Sequence, residues 1–179
     1  LYEAVNKVDA ENVFIFPNNK NIIMAAEQVN ELSDKNIIVI PTKSIPQGFT
    51  ALFNFDDQAT PEENKSLMTE SLSTIKTGQI TYAVRDTEVN SIQIKKDDFI
   101  GLIDGEIVKV GQDKEQLLID LLDENIDEES SLITVYGGNE VDKDAFKKLA
   151  SRVEKKFEDF DVDFESGDQP TYYYIFSIE

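Results

Sequence analysis

Two polar turns in this chain carry the residue types best suited to gripping a small polar group. The first follows a short apolar run and reads Pro17-Asn18-Asn19-Lys20-Asn21-Ile22. The second follows another such run and reads Pro41-Thr42-Lys43-Ser44-Ile45-Pro46-Gln47-Gly48. Carboxamides, hydroxyls and an ammonium group can all donate hydrogen bonds, and each turn opens onto a helix-like segment whose first N–H groups have no intrahelical partner. Asn18, Asn19, Thr42, Lys43, Ser44 and Gln47 are therefore candidate ligand- or partner-binding residues. Local geometry explains the same residues equally well: Asn tolerates left-handed backbone and caps helices, and Thr and Ser close turns. Arg85, in Arg85-Asp86-Thr87 after a later strand, is the remaining candidate, with an ion pair to Asp86 as its structural explanation.

The absences narrow the chemistry. The chain has no Cys and no His, so thiolate nucleophiles, thiolate zinc sites and the commonest general base are missing. No catalytic residue and no metal ligand is assigned. Net charge is −19, from 36 acidic and 17 basic residues. A field of that sign repels nucleic-acid phosphate and anionic lipid, and suits a plain solvated surface or a basic protein partner. Apolar runs are only four or five residues long, too short for a membrane helix, and no signal-peptide pattern is present, so the expected location is cytoplasmic. A start at Leu1 rather than Met is expected of a piece of a longer protein.

The elements that position these turns follow from periodicity. Residues 13–16 and 37–40 are continuously apolar, as in buried parallel strands. Between them, residues 19–32 place Ile22, Ala26 and Val29 on one helical face, which gives a βαβ unit with both turns at the carboxyl edge of its strands. Ser44-Ile45-Pro46-Gln47 has capping-box spacing for a helix running to about Phe53. Thr60-Pro61-Glu62-Glu63 starts another helix, which Gly78 is expected to stop. Alternation then takes over: residues 79–85 (Ile80, Tyr82 and Val84 on one face), 91–94, Phe99–Ile103, and 107–110 after the turn dipeptide Asp104-Gly105. A helix capped at Asp113, an apolar strand 132–136 and a helix 143–157 capped by Asp142 follow. Strands 160–164 and 172–178, around the turn 166–170, close the chain. The fold class is α/β, a mixed sheet with a parallel βαβ core and an antiparallel portion, in a single domain with sub-lobes 1–78 and 79–179.

Three other motifs have ordinary explanations. Asp159-Phe160-Asp161-Val162-Asp163-Phe164 starts like a calcium loop but has Phe where the loop needs Gly, and its alternation reads as a strand. The acidic stretch 123–129 reads as solvated surface. Tyr136-Gly137-Gly138-Asn139 leads from strand to helix, as phosphate loops do, but lacks the Gly-x-x-x-x-Gly-Lys pattern.

The two turns, with Thr81-Tyr82-Ala83-Val84-Arg85-Asp86-Thr87 and Gly167-Asp168-Gln169-Pro170-Thr171-Tyr172-Tyr173-Tyr174, resemble the carboxyl-terminal third of the kinase subunit of bacterial fatty acid kinase, a dihydroxyacetone-kinase-like protein. The resemblance covers essentially the whole chain, and the Pro41–Gly48 block is its most specific part. It implies a fold similar to DegV-like fatty-acid-binding proteins and no cofactor in this segment. The resemblance further implies that ATP and magnesium belong to an amino-terminal kinase domain that makes acyl-phosphate for phospholipid synthesis. The implied partner is a separate DegV-type fatty-acid-binding subunit, with any homodimer formed through other domains. Two functions fit: a non-catalytic domain that docks this partner, or a domain that binds a fatty acid or small molecule at the carboxyl edge of the sheet. An autonomous phosphotransferase is a distant third.

Overall fold

The computed structural model describes residues 1–89 and 91–179 and divides into two units, Leu1–Ile75 and Lys76–Glu179.

In the first unit, α1 (Tyr2–Lys7) precedes β1 (Asn12–Ile15), α2 (Lys20–Val29) with a 3-10 turn at Asn30–Leu32, β2 (Asn36–Val39), α3 (Ile45–Phe53) and α4 (Pro61–Ser71). β1 and β2 pair in parallel, with Asn12 opposite Asn36 and Ile15 opposite Val39. Side chains alternate across this two-stranded sheet and sort two cores. Val13, Ile15 and Ile37 pack with Val5, Ala26 and Val29; Phe14, Phe16, Ile38 and Ile40 pack with Ala51, Met68 and Leu72. The expected face of α2 is only partly buried: Ala26 and Val29 are inside, while Ile22 is 40% exposed.

Capping follows the spacing, with one difference. Thr60 and Glu63 form the full reciprocal box, and the carboxyl of Glu63 sits below the usual range because it accepts the backbone N–H and hydroxyl of Thr60. Ser44 Oγ accepts from the Gln47 N–H, but the Gln47 side chain does not return to the Ser44 backbone; it accepts the Lys43 N–H at 2.8 Å. The long side chain therefore ties down the loop before the helix as well as the cap itself.

The second unit is a six-stranded sheet with neighbours in the order β7-β6-β3-β10-β8-β9: β3 (Lys76–Tyr82), β6 (Phe99–Ile103), β7 (Glu106–Gly111), β8 (Leu132–Gly137), β9 (Asp161–Ser166) and β10 (Tyr174–Ile178). β8 and β9 run parallel around α6 (Lys143–Lys156); the other neighbours are antiparallel. α5 (Lys114–Asn125) and α6 cover one core, where Leu118, Leu121, Leu122, Leu149 and Val153 meet Ile80, Tyr174 and Phe176. The small hairpin β4 (Thr87–Val89) and β5 (Ile92–Ile94) packs Ile94 with Ile100 in another cluster. Asp104 and Gly105 both have positive φ, as the tight turn between β6 and β7 requires.

The structure corrects three expectations. Gly78 does not stop a helix: α4 ends at Ser71, a 3-10 turn spans Leu72–Thr74, and Gly78 sits inside β3. It is glycine because Phe176, its partner on β10, lays its ring across it; a Cβ there would be 1.9 Å from Cζ of that ring. The alternating strand expected over 79–85 ends at Tyr82, so Val84 lies beyond it and is 73% exposed. Finally, Asp86 accepts the Lys96 backbone N–H at 2.7 Å, a turn-closing bond where an ion pair to Arg85 was expected.

Gly78→Ala is expected to destabilise the second unit by about 3 kcal/mol, since the buried Phe176 ring has nowhere to go. A drop in the denaturation midpoint at unchanged m-value would show it; an unchanged midpoint would mean the ring is free to move aside.

Candidate functional site

The parallel, in-register pairing of β1 with β2 brings the two polar turns side by side at the carboxyl ends of the strands. They are joined directly: the Asn18 N–H donates to Thr42 Oγ1 at 3.0 Å, across 24 residues of sequence. The Thr42 N–H in turn donates to the Ile40 carbonyl at 2.7 Å, which folds its loop back on its own strand. Asn19 caps α2 through Asn21, and Ser44 caps α3 through Gln47. Six of the seven candidates, Asn18, Asn19, Thr42, Lys43, Ser44 and Gln47, therefore form one rim. Arg85 belongs to the second unit, in the exposed stretch after β3.

The hydrogen-bonding capacity of this rim is not exhausted. Thr42 is fully buried, and Ser44 and Gln47 are nearly so. Each hydroxyl accepts one backbone N–H, so each keeps its own proton to donate. Asn18 adopts φ +53, a left-handed conformation that Asn tolerates better than most residues. Its carboxamide oxygen is buried and, among the described residues, has no hydrogen-bond partner. Buried polar atoms are nearly always paired, so this orphaned oxygen is an unused acceptor within the rim. Gly48 gives the carboxamide its room, since a Cβ there would lie 2.5 Å from Asn18 Oδ1.

α3 adds a feature that periodicity alone did not reveal: its amphipathicity is inverted. The helix buries Pro46, Gln47, Gly48, Thr50 and Ala51, and exposes Ile45, Phe49, Leu52 and Phe53, the last at 85%. A helix normally does the opposite, and a contiguous exposed apolar face usually receives a ligand or partner. The signal was present in the sequence as four large apolar residues at i, i+4, i+7 and i+8 after the Ser44 cap. Which face turns inward depends on what the sheet offers, and spacing does not supply that. Among the described residues no group of three or more His, Cys, Asp or Glu is placed to hold a metal ion, and no helix is long and apolar enough to cross a membrane.

Comparison with known proteins gives the family and the fold. The chain shares 41% identity over 179 residues with an uncharacterized protein of Staphylococcus aureus (strain USA300), which covers all of this chain and 33% of that protein. It shares 42% with an uncharacterized protein of Staphylococcus saprophyticus, all of this chain and 32% of that one. The chain thus spans about a third of the length of the curated relatives it matches. Among solved structures, it resembles a Thermotoga maritima protein described as revealing a fatty acid binding function (TM-score 0.65, 17% identity, 99% of this chain and 72% of that one). It also resembles the Streptococcus pneumoniae fatty acid kinase B3 protein loaded with linoleic acid (TM-score 0.63, 13% identity, 99% and 74%). A DegV family protein of Corynebacterium glutamicum is similar in the same way (TM-score 0.64, 14% identity, 99% and 79%). At these identities the likeness is one of fold. The family model for the C-terminal region of fatty acid kinase A-like subunits matches residues 1–179, and the chain belongs to that family, in a DegV-like fold.

Proposed function

We propose that this domain binds a fatty acid, its carboxyl group at the Asn18–Thr42–Ser44 rim and its acyl chain along the exposed face of α3. One observation carries this reading: a polar rim with spare donors stands at the amino end of a helix whose outward face is apolar. A fatty acid has the same arrangement of polar head and apolar tail. The Thr42 and Ser44 hydroxyls donate to carboxylate oxygens. Turning the Asn18 carboxamide by a half-rotation about Cβ–Cγ presents its N–H groups in place of the orphan oxygen. These groups are buried, so entry requires the two loops to part locally. Several solved proteins of the same fold are described with fatty acids bound, which makes such a ligand the first to test. In the family to which the chain belongs, such a site would serve acyl-phosphate formation by a kinase domain in the longer protein.

A second reading has its own support: the α3 face, in a chain of net charge −19, suits docking of a separate fatty-acid-binding subunit with an apolar patch ringed by basic residues. An apolar contact with a charged rim would survive high salt in part and lose its fast association.

Oleate titrated into delipidated protein is expected to bind one to one. Phe53→Ser, at an exposed position, is expected to change stability by less than about 0.5 kcal/mol yet weaken oleate about fivefold. Thr42→Val is expected to cost about 1 kcal/mol of stability, to speed hydrogen exchange at the Asn18 amide, and to weaken oleate about tenfold, while Thr42→Ser retains binding. Absence of oleate binding, or equal affinity in all variants, would refute the fatty-acid reading. Salt-sensitive association of a fatty-acid-binding subunit, lost in Phe53→Ser without any oleate binding, would establish the docking reading in its place.

A further inference from the structure

Gly137, Gly138 and Asn139, from the Tyr136–Asn139 motif, line a cavity of about 410 Å³, wholly within the Lys76–Glu179 unit, at the carboxyl edge of the parallel pair β8 and β9. That volume is ordinary for a small-molecule pocket. Phe146 and Phe164 supply its aromatic wall, their rings 5.1 Å apart and tilted at 61°, and the Phe146 ring is backed by the fully buried Tyr174, stacked 6.2 Å away. Gly137 permits this, since a Cβ there would already press on the Phe146 ring at 3.0 Å. Gly138 cannot carry one, because it would meet the Tyr172 carbonyl oxygen at 2.1 Å.

The polar wall is cationic in an otherwise acidic chain. Lys143 and Lys147 lie four residues apart on α6, both are exposed, and neither is in an ion pair among the described residues. Asp168 also lines the cavity and accepts a hydrogen bond from Ser166 Oγ at 3.2 Å. The amino end of α6 is not the attraction, because Asp142 already caps it through the N–H groups of Asp144 and Ala145. Two ammonium groups against one carboxylate leave a single positive charge in the lining, which matches a monoanion. Aromatic walls favour a flat or compact apolar body held edge to face.

We propose that this cavity binds a small carboxylic acid with an aromatic body, at a site separate from the Asn18–Thr42 rim. Naphthalene-2-carboxylate is the probe, followed by its fluorescence and by the amide NMR signals of Gly137 and Gly138. Saturable one-to-one binding is expected, with those two amides shifting, affinity falling as salt rises, and the neutral carboxamide and the dianionic naphthyl phosphate both binding more weakly. The surface variant Lys143→Glu/Lys147→Glu is expected to lose about tenfold or more in affinity with its melting temperature little changed. Ala150→Phe, which fills the cavity from α6, is expected to abolish binding. Saturating oleate should leave the probe in place, so failure here is distinguishable from failure of the fatty-acid site. Equal affinity in the charge-reversed variant, equal affinity for the carboxamide, tighter binding of the phosphate, or shifts confined to residues 1–75 would each overturn the proposal.

Discussion

Parallel, in-register pairing of β1 with β2 is the constraint on which the candidate site depends. Parallel strands need a crossover, and α2 supplies it; only then do two turns 24 residues apart in sequence end at the same edge. The Asn18 N–H to Thr42 Oγ1 bond closes that edge and fixes the height of one loop against the other. Shifting the register by one residue would exchange the cores on the two faces, sending Val13 and Ile15 toward α3 and α4 and breaking the contacts of Phe14 and Ile38. Core packing and rim geometry are thus set by the same pairing.

From this edge follow the two features that matter chemically. Gly48 leaves space for the Asn18 carboxamide, whose oxygen stays without a partner, and Gln47 is drawn inward to hold the Lys43 amide. Because the inner side of α3 is taken up by these polar contacts, its large apolar residues face out. The inversion is a direct consequence of building a polar rim under a helix. An exposed apolar face costs solubility and stays exposed only at some free-energy disadvantage, so it points to an occupant.

Much of the fold was legible because it is local. Apolar runs and caps placed most strands and helices to within a residue or two. However, β3 begins and ends three residues before the expected 79–85, α4 stops at Ser71, well short of Gly78, and β4 had no counterpart in the expected alternation. The hydrogen-bonded strands begin one residue early, at Asn12 and Asn36, because polar side chains there hide the strand start from a hydropathy pattern. Non-local relations were not legible. Gly78 looks like a helix stop until Phe176, almost a hundred residues away, is known to lie across it. Likewise the order of strands in the sheet, with β10 between β3 and β8, is fixed by pairings far apart in sequence. At the site, residue types and loop positions could be read from the sequence. The orphaned carboxamide oxygen and the outward apolar face could not, since both depend on what α3 meets when it packs.

Photolabelling with a diazirine-bearing fatty acid tests the central claim most directly, because it reports where the acyl chain lies. A carboxylate held at the rim with its tail along the helix predicts label concentrated in the peptide spanning α3, on Phe49, Leu52 or Phe53, and competed away by unlabelled oleate. Competable label found only outside residues 1–75, or no competable label at all, would contradict it.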